Sequence, residues 1–189
     1  MKDLGLLVLR LVTGGLLAGH GSQKLFGWFK GYGPRGTAGW LESMQMKPGD
    51  QWAYLAGASE FSGGLLTALG FMSPVGSIVA TAPMAIATGK VHWGKPIWVS
   101  EGGAELPITN IAVLTALSFT GPGRLSLDRA FRIRVPWSLI AAAAALTTVG
   151  IVRGLRGQPP VPQEIPLPEP ARRRLAPAGV SNSPQAQPV

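Results

Sequence analysis

Residues 4–26, LGLLVLRLVTGGLLAGHGSQKLF, form an apolar stretch long enough to cross a lipid bilayer. The stretch contains two cationic residues, Arg10 and Lys24. Its carboxyl-terminal part overlaps the polar run His20-Gly-Ser-Gln-Lys-Leu-Phe-Gly27. Ionisable groups are costly in hydrocarbon, so they mark positions where function should be sought. The stretch predicts a first transmembrane helix that carries a candidate site near its carboxyl end.

The composition of the whole chain is typical of a membrane protein. Of its 189 residues, 46% are hydrophobic and 14% are charged, which is too apolar for an ordinary soluble domain. The chain has a net charge of +8, but its basic residues are not part of a basic-aromatic module that recognises nucleic acid. We therefore expect these residues to interact with anionic lipid headgroups rather than with nucleic acid. Because the chain has no cysteine, it has no disulfide, thiolate metal site or dithiol relay of its own.

Further apolar blocks follow the first one, separated by Gly, Pro, Trp and charged residues. They lie at residues 52–71, 73–89, 105–119 and 135–152. The pattern predicts an all-α fold, namely an integral membrane four-helix bundle with a fifth, carboxyl-terminal transmembrane helix. Between the first two blocks, residues 37–46 predict a short amphipathic helix that Thr37 caps and that lies at the membrane interface.

This pattern divides the chain into three regions. They are a transmembrane bundle over 1–128, a basic linker with the fifth helix over 129–156, and a disordered, proline-rich tail over 157–189. Arginines concentrate between residues 124 and 134, whereas the connections on the other side carry most of the tryptophans. We therefore expect a multi-pass protein whose amino terminus and residues 121–134 lie in the cytoplasm.

Glu60 lies near the middle of the second apolar block. A carboxylate at that depth must face a cation or a hydrogen-bond donor, or else be protonated. Small residues that would allow close helix contact are Gly57, Gly63 and Gly64 on the second block and Gly15 and Gly19 on the first. We therefore predict contact between the first two spans near Glu60. Glu60 either pairs with Arg10 or Lys24 to fix the helix register, or serves a proton, a cofactor or a substrate.

Other polar residues of the apolar blocks have simpler explanations. Arg10 either reaches the near membrane surface or finds a partner within the bundle. Glu105 begins the fourth block, where the helix dipole favours an acidic residue. His20 and His92 stand at the outer ends of their blocks. Two facing histidines could ligate haem or a metal ion. An isolated interfacial histidine is usually only hydrogen-bonded, so we expect these two to bind neither haem nor a metal ion.

Four motifs, taken in order, resemble the DoxX family of small bacterial multi-pass inner-membrane proteins. They are His20-Gly-Ser-Gln-Lys-Leu-Phe-Gly27, Ala58-Ser-Glu-Phe-Ser-Gly-Gly64, Glu101-Gly-Gly-Ala-Glu-Leu106 and Gly121-Pro-Gly-Arg-Leu-Ser-Leu-Asp128. The resemblance covers about residues 4–128 and implies a compact four-helix membrane bundle. It also implies a link with quinone-dependent sulfur oxidation or with membrane complexes that resist oxidative stress. The site positions implied by the resemblance are His20, Gln23, Lys24, Glu60 and Glu105.

Two hypotheses about function follow. In the first, the protein is a subunit or membrane anchor of a redox or oxidative-stress-linked complex and interacts with a quinone. The candidate catalytic residues are then Glu60, His20 and Lys24, and the candidate cofactor-binding residues are Gln23, Glu105 and Arg10. In the second, the protein is a noncatalytic scaffold that recruits a soluble partner through the arginines of 124–134 or the tail. A third hypothesis, transport of a small solute, lacks the support of an internal repeat.

The expected partners follow from the same hypotheses. They are the lipid bilayer, a soluble or membrane redox protein, and a second copy of the chain in a homo-oligomer.

Overall fold

The computed structural model describes residues 1–156, and the regular elements in this range are all helical. The α-helices are α1 (Lys2–Phe26), α2 (Gly33–Ser43), α3 (Gly49–Leu69), α4 (Val75–Lys90), α5 (Glu105–Thr120), α6 (Leu127–Ala130) and α7 (Trp137–Leu155). Short 3-10 turns, Trp28–Lys30 and Val99–Glu101, lie in the connections after α1 and α4. The all-α prediction is confirmed for the described residues. The predicted disordered tail, residues 157–189, lies outside them.

Glycine and proline set many of the helix ends. Gly27 and Gly70 follow α1 and α3 with φ angles of 70° and 60°, a left-handed conformation that glycine adopts without steric cost. Pro48, Pro74 and Pro136 immediately precede α3, α4 and α7. The apolar blocks of the sequence therefore become helices whose ends lie within a few residues of those predicted.

The helix α2 begins earlier than predicted. It starts at Gly33 with Pro34 at one of its first positions, where a missing N–H costs no helical hydrogen bond. Thr37 is buried inside the helix, so the prediction that Thr37 caps it was wrong. Of the apolar face predicted from Trp40, Leu41 and Met44, the last two are buried in a hydrophobic cluster with α3, whereas Trp40 is 47% exposed.

The helices α1 and α3 pack side by side in opposite directions with glycine at their contacts. A methyl group at Gly14 would lie 2.5 Å from the Ala68 nitrogen and the Gly64 carbonyl oxygen, and one at Gly21 would overlap the backbone of Phe61. Only glycine allows two helix backbones to approach this closely. The predicted contact between the first two spans is thus confirmed.

The glycines at this contact are not the predicted ones of α1. Methyl groups at Gly15 and Gly19 would meet nothing within 4 Å. Gly14 and Gly21 lie seven positions apart and therefore share a helix face, from which Gly15 is turned by about 100°. The small-residue surface predicted from Gly15 and Gly19 was wrong, because a four-residue spacing does not say which face meets a neighbour.

The next helices continue to alternate in direction. The hairpin of α3 and α4 brings Thr67 Oγ1 to 3.3 Å from Ser77 Oγ. After α5, the chain returns to the α3–α4 turn, where the Asp128 carboxylate accepts hydrogen bonds from the backbone N–H groups of Met72 and Ser73, each 2.8 Å long. The helix α7 starts near this point and ends beside Lys90, whose Nζ donates to the Arg156 carbonyl over 3.3 Å.

Because the helices alternate in direction, the connections between them lie at two opposite ends of the described structure. The amino-terminal end holds Met1, the turn 70–74 and the segment 121–136. The opposite end holds the connections 27–48 and 91–104 together with Arg156. The helices α1, α4 and α7 run from the first end to the second, and α3 and α5 run back.

Among the described residues, α1 and α7 are long and apolar enough to cross a membrane, and α5 is a shorter apolar helix. Only 33% of the most apolar window of α1 and 11% of that of α7 are buried. Leu9, Val12 and Leu16 of α1 are among the exposed apolar side chains. The outer surface of these two helices is therefore suited to hydrocarbon.

Candidate functional site

The contact between α1 and α3 brings Lys24 onto Glu60. The Lys24 ammonium forms an ion pair with Glu60 Oε2. Gly57, one turn before Glu60, makes room for this approach, since a methyl group there would lie 3.2 Å from the Lys24 Cβ and 2.8 Å from the Leu25 Cγ. Of the two cations that the sequence offered to Glu60, the structure selects Lys24.

The two partners are unequally buried. The side chain of Glu60 is 4% exposed, whereas that of Lys24 is 23% exposed. A carboxylate without access to water depends on its counter-charge, whereas a lysine on a flexible stem can still turn toward a polar surface. The pair therefore has one enclosed member, Glu60, and one member with partial access to the surface, Lys24.

A cavity of about 520 Å³ lies beside this pair. The helix α4 contacts both α3 and α7, and the cavity occupies the cleft between those two helices. Trp40, Leu41, Met44, Met46 and Trp52 line its part nearest the opposite end. Its walls are predominantly apolar, and the charged side chains among its lining residues are Lys24, Glu60 and Lys90.

The size and chemistry of this cavity fit a small amphipathic molecule. Ligand cavities are commonly about 300–1,000 Å³, with apolar walls and a few polar groups that fix orientation. Lys24 can donate a hydrogen bond to an oxygen of such a molecule. Because the ion pair uses Glu60 Oε2, the Oε1 atom can accept one. The arrangement can hold a polar head at the ion pair and an apolar body along α4 and α7.

Lys90 is a site residue that sequence reasoning missed. It ends α4, is 2% exposed and lines the cavity. In the sequence it stands at the end of an apolar block, as expected of a lysine that reaches a membrane surface. Its burial arises because the end of α7 lies against it, and no local pattern encodes that contact.

Arg10 lies in a separate polar cluster at the amino-terminal end. It is 2% exposed, its Nη2 donates to the Leu125 carbonyl, and its guanidinium lies against Gly70. Asp128 supplies a negative charge that acts on it. Within the described residues, Arg10 Nε and Nη1 have no hydrogen-bond partner. The structure thus places Arg10 with the segment 121–128 and apart from the Lys24–Glu60 pair.

The remaining predicted site residues make local contacts and do not line the cavity. His20 Nδ1 lies 3.2 Å from Gln23 Oε1, and Gln23 Nε2 donates to the Phe29 carbonyl over 3.4 Å. Glu105 Oε2 accepts a hydrogen bond of 2.9 Å from the Val99 N–H. These contacts order the connections at the opposite end. Of the predicted set, the structure therefore brings only Lys24 and Glu60 to the cavity, while His20 and Gln23 contact each other away from it.

His92, the other histidine considered for haem or metal binding, also has a local partner. Its Nδ1 lies 2.6 Å from the Gly102 carbonyl oxygen.

The comparison with known families bears on the same residues. Residues 5–93 match the family model DoxX, and this segment contains α1 to α4 with Lys24, Glu60 and Lys90. No curated protein and no solved structure matches the chain significantly. The helix α7, which forms one cavity wall, lies outside the matched residues. The match over residues 5–93, just under half of the chain, supports its assignment to the DoxX family of membrane proteins.

Proposed function

We propose that this DoxX-family protein is a multi-pass protein of the bacterial inner membrane. In this proposal α1, α3, α4 and α5 cross as a four-helix bundle and α7 adds a fifth crossing. Support comes from the length and exposed apolar surface of α1 and α7 and from the alternating helix directions. The exposed arginines of the amino-terminal end favour a cytoplasmic position for that end.

Within this bundle, the cavity binds the head of a membrane quinone. The observation that carries the proposal is the apolar cavity of about 520 Å³ with the Lys24–Glu60 pair among its lining residues. A quinone has a polar ring with carbonyl oxygens and an apolar tail, which are the two parts that such a cavity accommodates. Lys24 donates a hydrogen bond to a ring oxygen, and Glu60 holds or releases a proton beside it.

The protein then acts as a subunit or membrane anchor of a redox or oxidative-stress-linked complex. A bound quinone supplies the electron-accepting chemistry. Because the chain has no cysteine, it carries no electrons as thiols, and a partner redox protein serves as the electron donor. The residues of this chain bind and orient the ring and shield it from water.

Binding can be measured by tryptophan fluorescence, because quinones quench nearby indoles and Trp40 and Trp52 line the cavity. We expect a short-tailed quinone analogue to quench the purified protein saturably. Ala56→Phe places a ring in the cavity and should weaken binding about tenfold or more. Ala58→Phe, on the exposed side of the same helix, is the matched control and should leave binding unchanged. A linear, non-saturable response to the analogue would overturn the proposal.

A second candidate function, recruitment of a soluble partner, is favoured by the amino-terminal end. Arg124, Arg129, Arg132 and Arg134 are all exposed there, and none forms an ion pair within residues 1–156. This surface is suited to an acidic partner. Replacing the four arginines with glutamine should abolish co-purification of the partner from native membranes. Unchanged recovery, together with unchanged recovery after removal of residues 157–189, would rule out the scaffold function.

A further inference from the structure

Pro83 interrupts the hydrogen bonding of α4. It lies inside the helix and has no N–H group. In an α-helix, the N–H of residue 83 would bond to the carbonyl of Val79, so that carbonyl loses its regular donor. The nearby threonine hydroxyls do not replace it, since Thr81 donates to Ser77 and Thr88 donates to Met84.

Val79, which carries this carbonyl, is one of the residues that line the cavity. A methyl group at Gly63 of α3 would lie 2.9 Å from the Ala80 nitrogen of α4, which fixes the antiparallel register of the two helices. One turn further along, Glu60 is level with Ala82 and Pro83. Val79, Pro83 and Glu60 are all lining residues of the cavity.

A carbonyl in an apolar wall needs a donor. Leaving it unpaired costs free energy, so a bound molecule that supplies a hydroxyl gains affinity by pairing it. Near Glu60 the lining thus offers the acceptor Glu60 Oε1 and the donor Lys24, together with Val79, whose carbonyl has lost its helical donor.

Building on the proposed quinone site, we propose that the cavity selects the reduced, hydroxylated head of the ligand. The ring hydroxyls of a quinol can donate to the Glu60 carboxylate and the Val79 carbonyl, and they can also accept from Lys24. The oxidised ring offers only acceptors, so it pairs with Lys24 and leaves both wall acceptors without a donor. The same cavity consequently binds the quinol more tightly than the quinone.

The variant Pro83→Ala isolates the carbonyl. Alanine supplies the missing N–H, closes the helical bond to Val79 and favours the helix, so the fold should be retained. Val79→Ala is the matched control, because it removes lining side-chain atoms while the carbonyl stays unpaired. Binding of one short-tailed analogue is measured anaerobically in its quinol and quinone forms.

We expect the unmodified protein to prefer the quinol, and Pro83→Ala to weaken quinol binding about fivefold more than it changes quinone binding. Val79→Ala should alter both forms by the same factor. Equal affinity for the two forms in the unmodified protein, or an equal effect of Pro83→Ala on both, would overturn this inference and leave the proposed quinone site standing. Absence of binding by either form would overturn the proposed site itself.

Discussion

The Lys24 ammonium of α1 meets the Glu60 carboxylate of α3 at the wall of an apolar cavity. This contact lies in the α1–α3 interface, where glycines allow the two helices to approach closely. It places a charge pair where an amphipathic molecule can reach it. Stability and the proposed ligand binding therefore depend on the same two residues. Substitutions can separate these roles, because the two side chains differ in their access to water.

Lys24→Met should destabilise the protein more than Glu60→Gln. Without Lys24, the 4% exposed Glu60 carboxylate keeps its charge or takes up a proton at a cost, and we expect a loss of about 3 kcal/mol. Without the Glu60 charge, Lys24 can turn toward the polar surface, and the loss should be about 1 kcal/mol. Unfolding in mixed micelles measures both values.

The double variant Lys24→Met with Glu60→Gln provides the control for this pair. Because neither charge is then left alone, its destabilisation should be smaller than the sum of the two single effects. Additive losses would show that the ion pair contributes no coupling energy.

Gly14→Ala and Gly15→Ala form a matched test of the α1–α3 interface. The added methyl group at Gly14 would lie 2.5 Å from backbone atoms of α3, whereas the one at Gly15 meets nothing within 4 Å. We expect Gly14→Ala to cost about 1–3 kcal/mol and Gly15→Ala to be neutral or slightly stabilising, since alanine favours the helix. Thermal unfolding of the purified variants distinguishes the two. Equal effects would contradict the observed helix face.

Asp128→Ala should loosen the amino-terminal end. Its carboxylate accepts hydrogen bonds from the Met72 and Ser73 N–H groups and supplies a negative charge near the buried Arg10. Losing two charge-assisted hydrogen bonds should cost about 3 kcal/mol. Hydrogen exchange at residues 70–74 should rise at the same time.

Asp3→Ala is the control for this prediction. Asp3 also accepts a backbone hydrogen bond, from the Arg124 N–H over 2.8 Å, but that contact is exposed. Its loss should cost less than about 1 kcal/mol and leave exchange at residues 70–74 unchanged. Similar effects of the two aspartate variants would argue against a special role for Asp128.

The cysteine-free chain is suited to topology mapping with single cysteines. Ser43→Cys and Ser100→Cys are exposed positions of the opposite end, and Arg132→Cys is an exposed position of the amino-terminal end. A membrane-impermeant maleimide should label the first two in intact spheroplasts, and Arg132→Cys only after permeabilisation. The unmodified protein provides the blank. Labelling of all three positions from one side would contradict the proposed crossings.

The sequence predicted the helices well because each apolar block has the length and punctuation of one helix. It also predicted contact between the first two spans, since a carboxylate in the middle of an apolar block must find a partner. The choice of Lys24 over Arg10 was open, because both cations share one side of α1. Arg10 instead pairs with Leu125, which is 115 positions away in the chain.

The cavity itself could not be predicted from local pattern. Its existence depends on α7 packing against α4, and on Lys90 being covered by the end of α7. Gly15 and Gly19 were predicted as helix-contact residues from their spacing alone. The observed contact at Gly14 instead depends on how α1 is rotated against α3. Tertiary placement decides such features.

The division of the cavity between two parts of the chain has an evolutionary consequence. The ion pair lies within the family segment 5–93, and one apolar wall comes from α7, which lies beyond it. Substitutions in α7 can reshape the space for the apolar part of a bound molecule while the contact of Lys24 with Glu60 stays intact. If the proposed ligand binds here, recognition of its head and selection of its tail can therefore diverge independently.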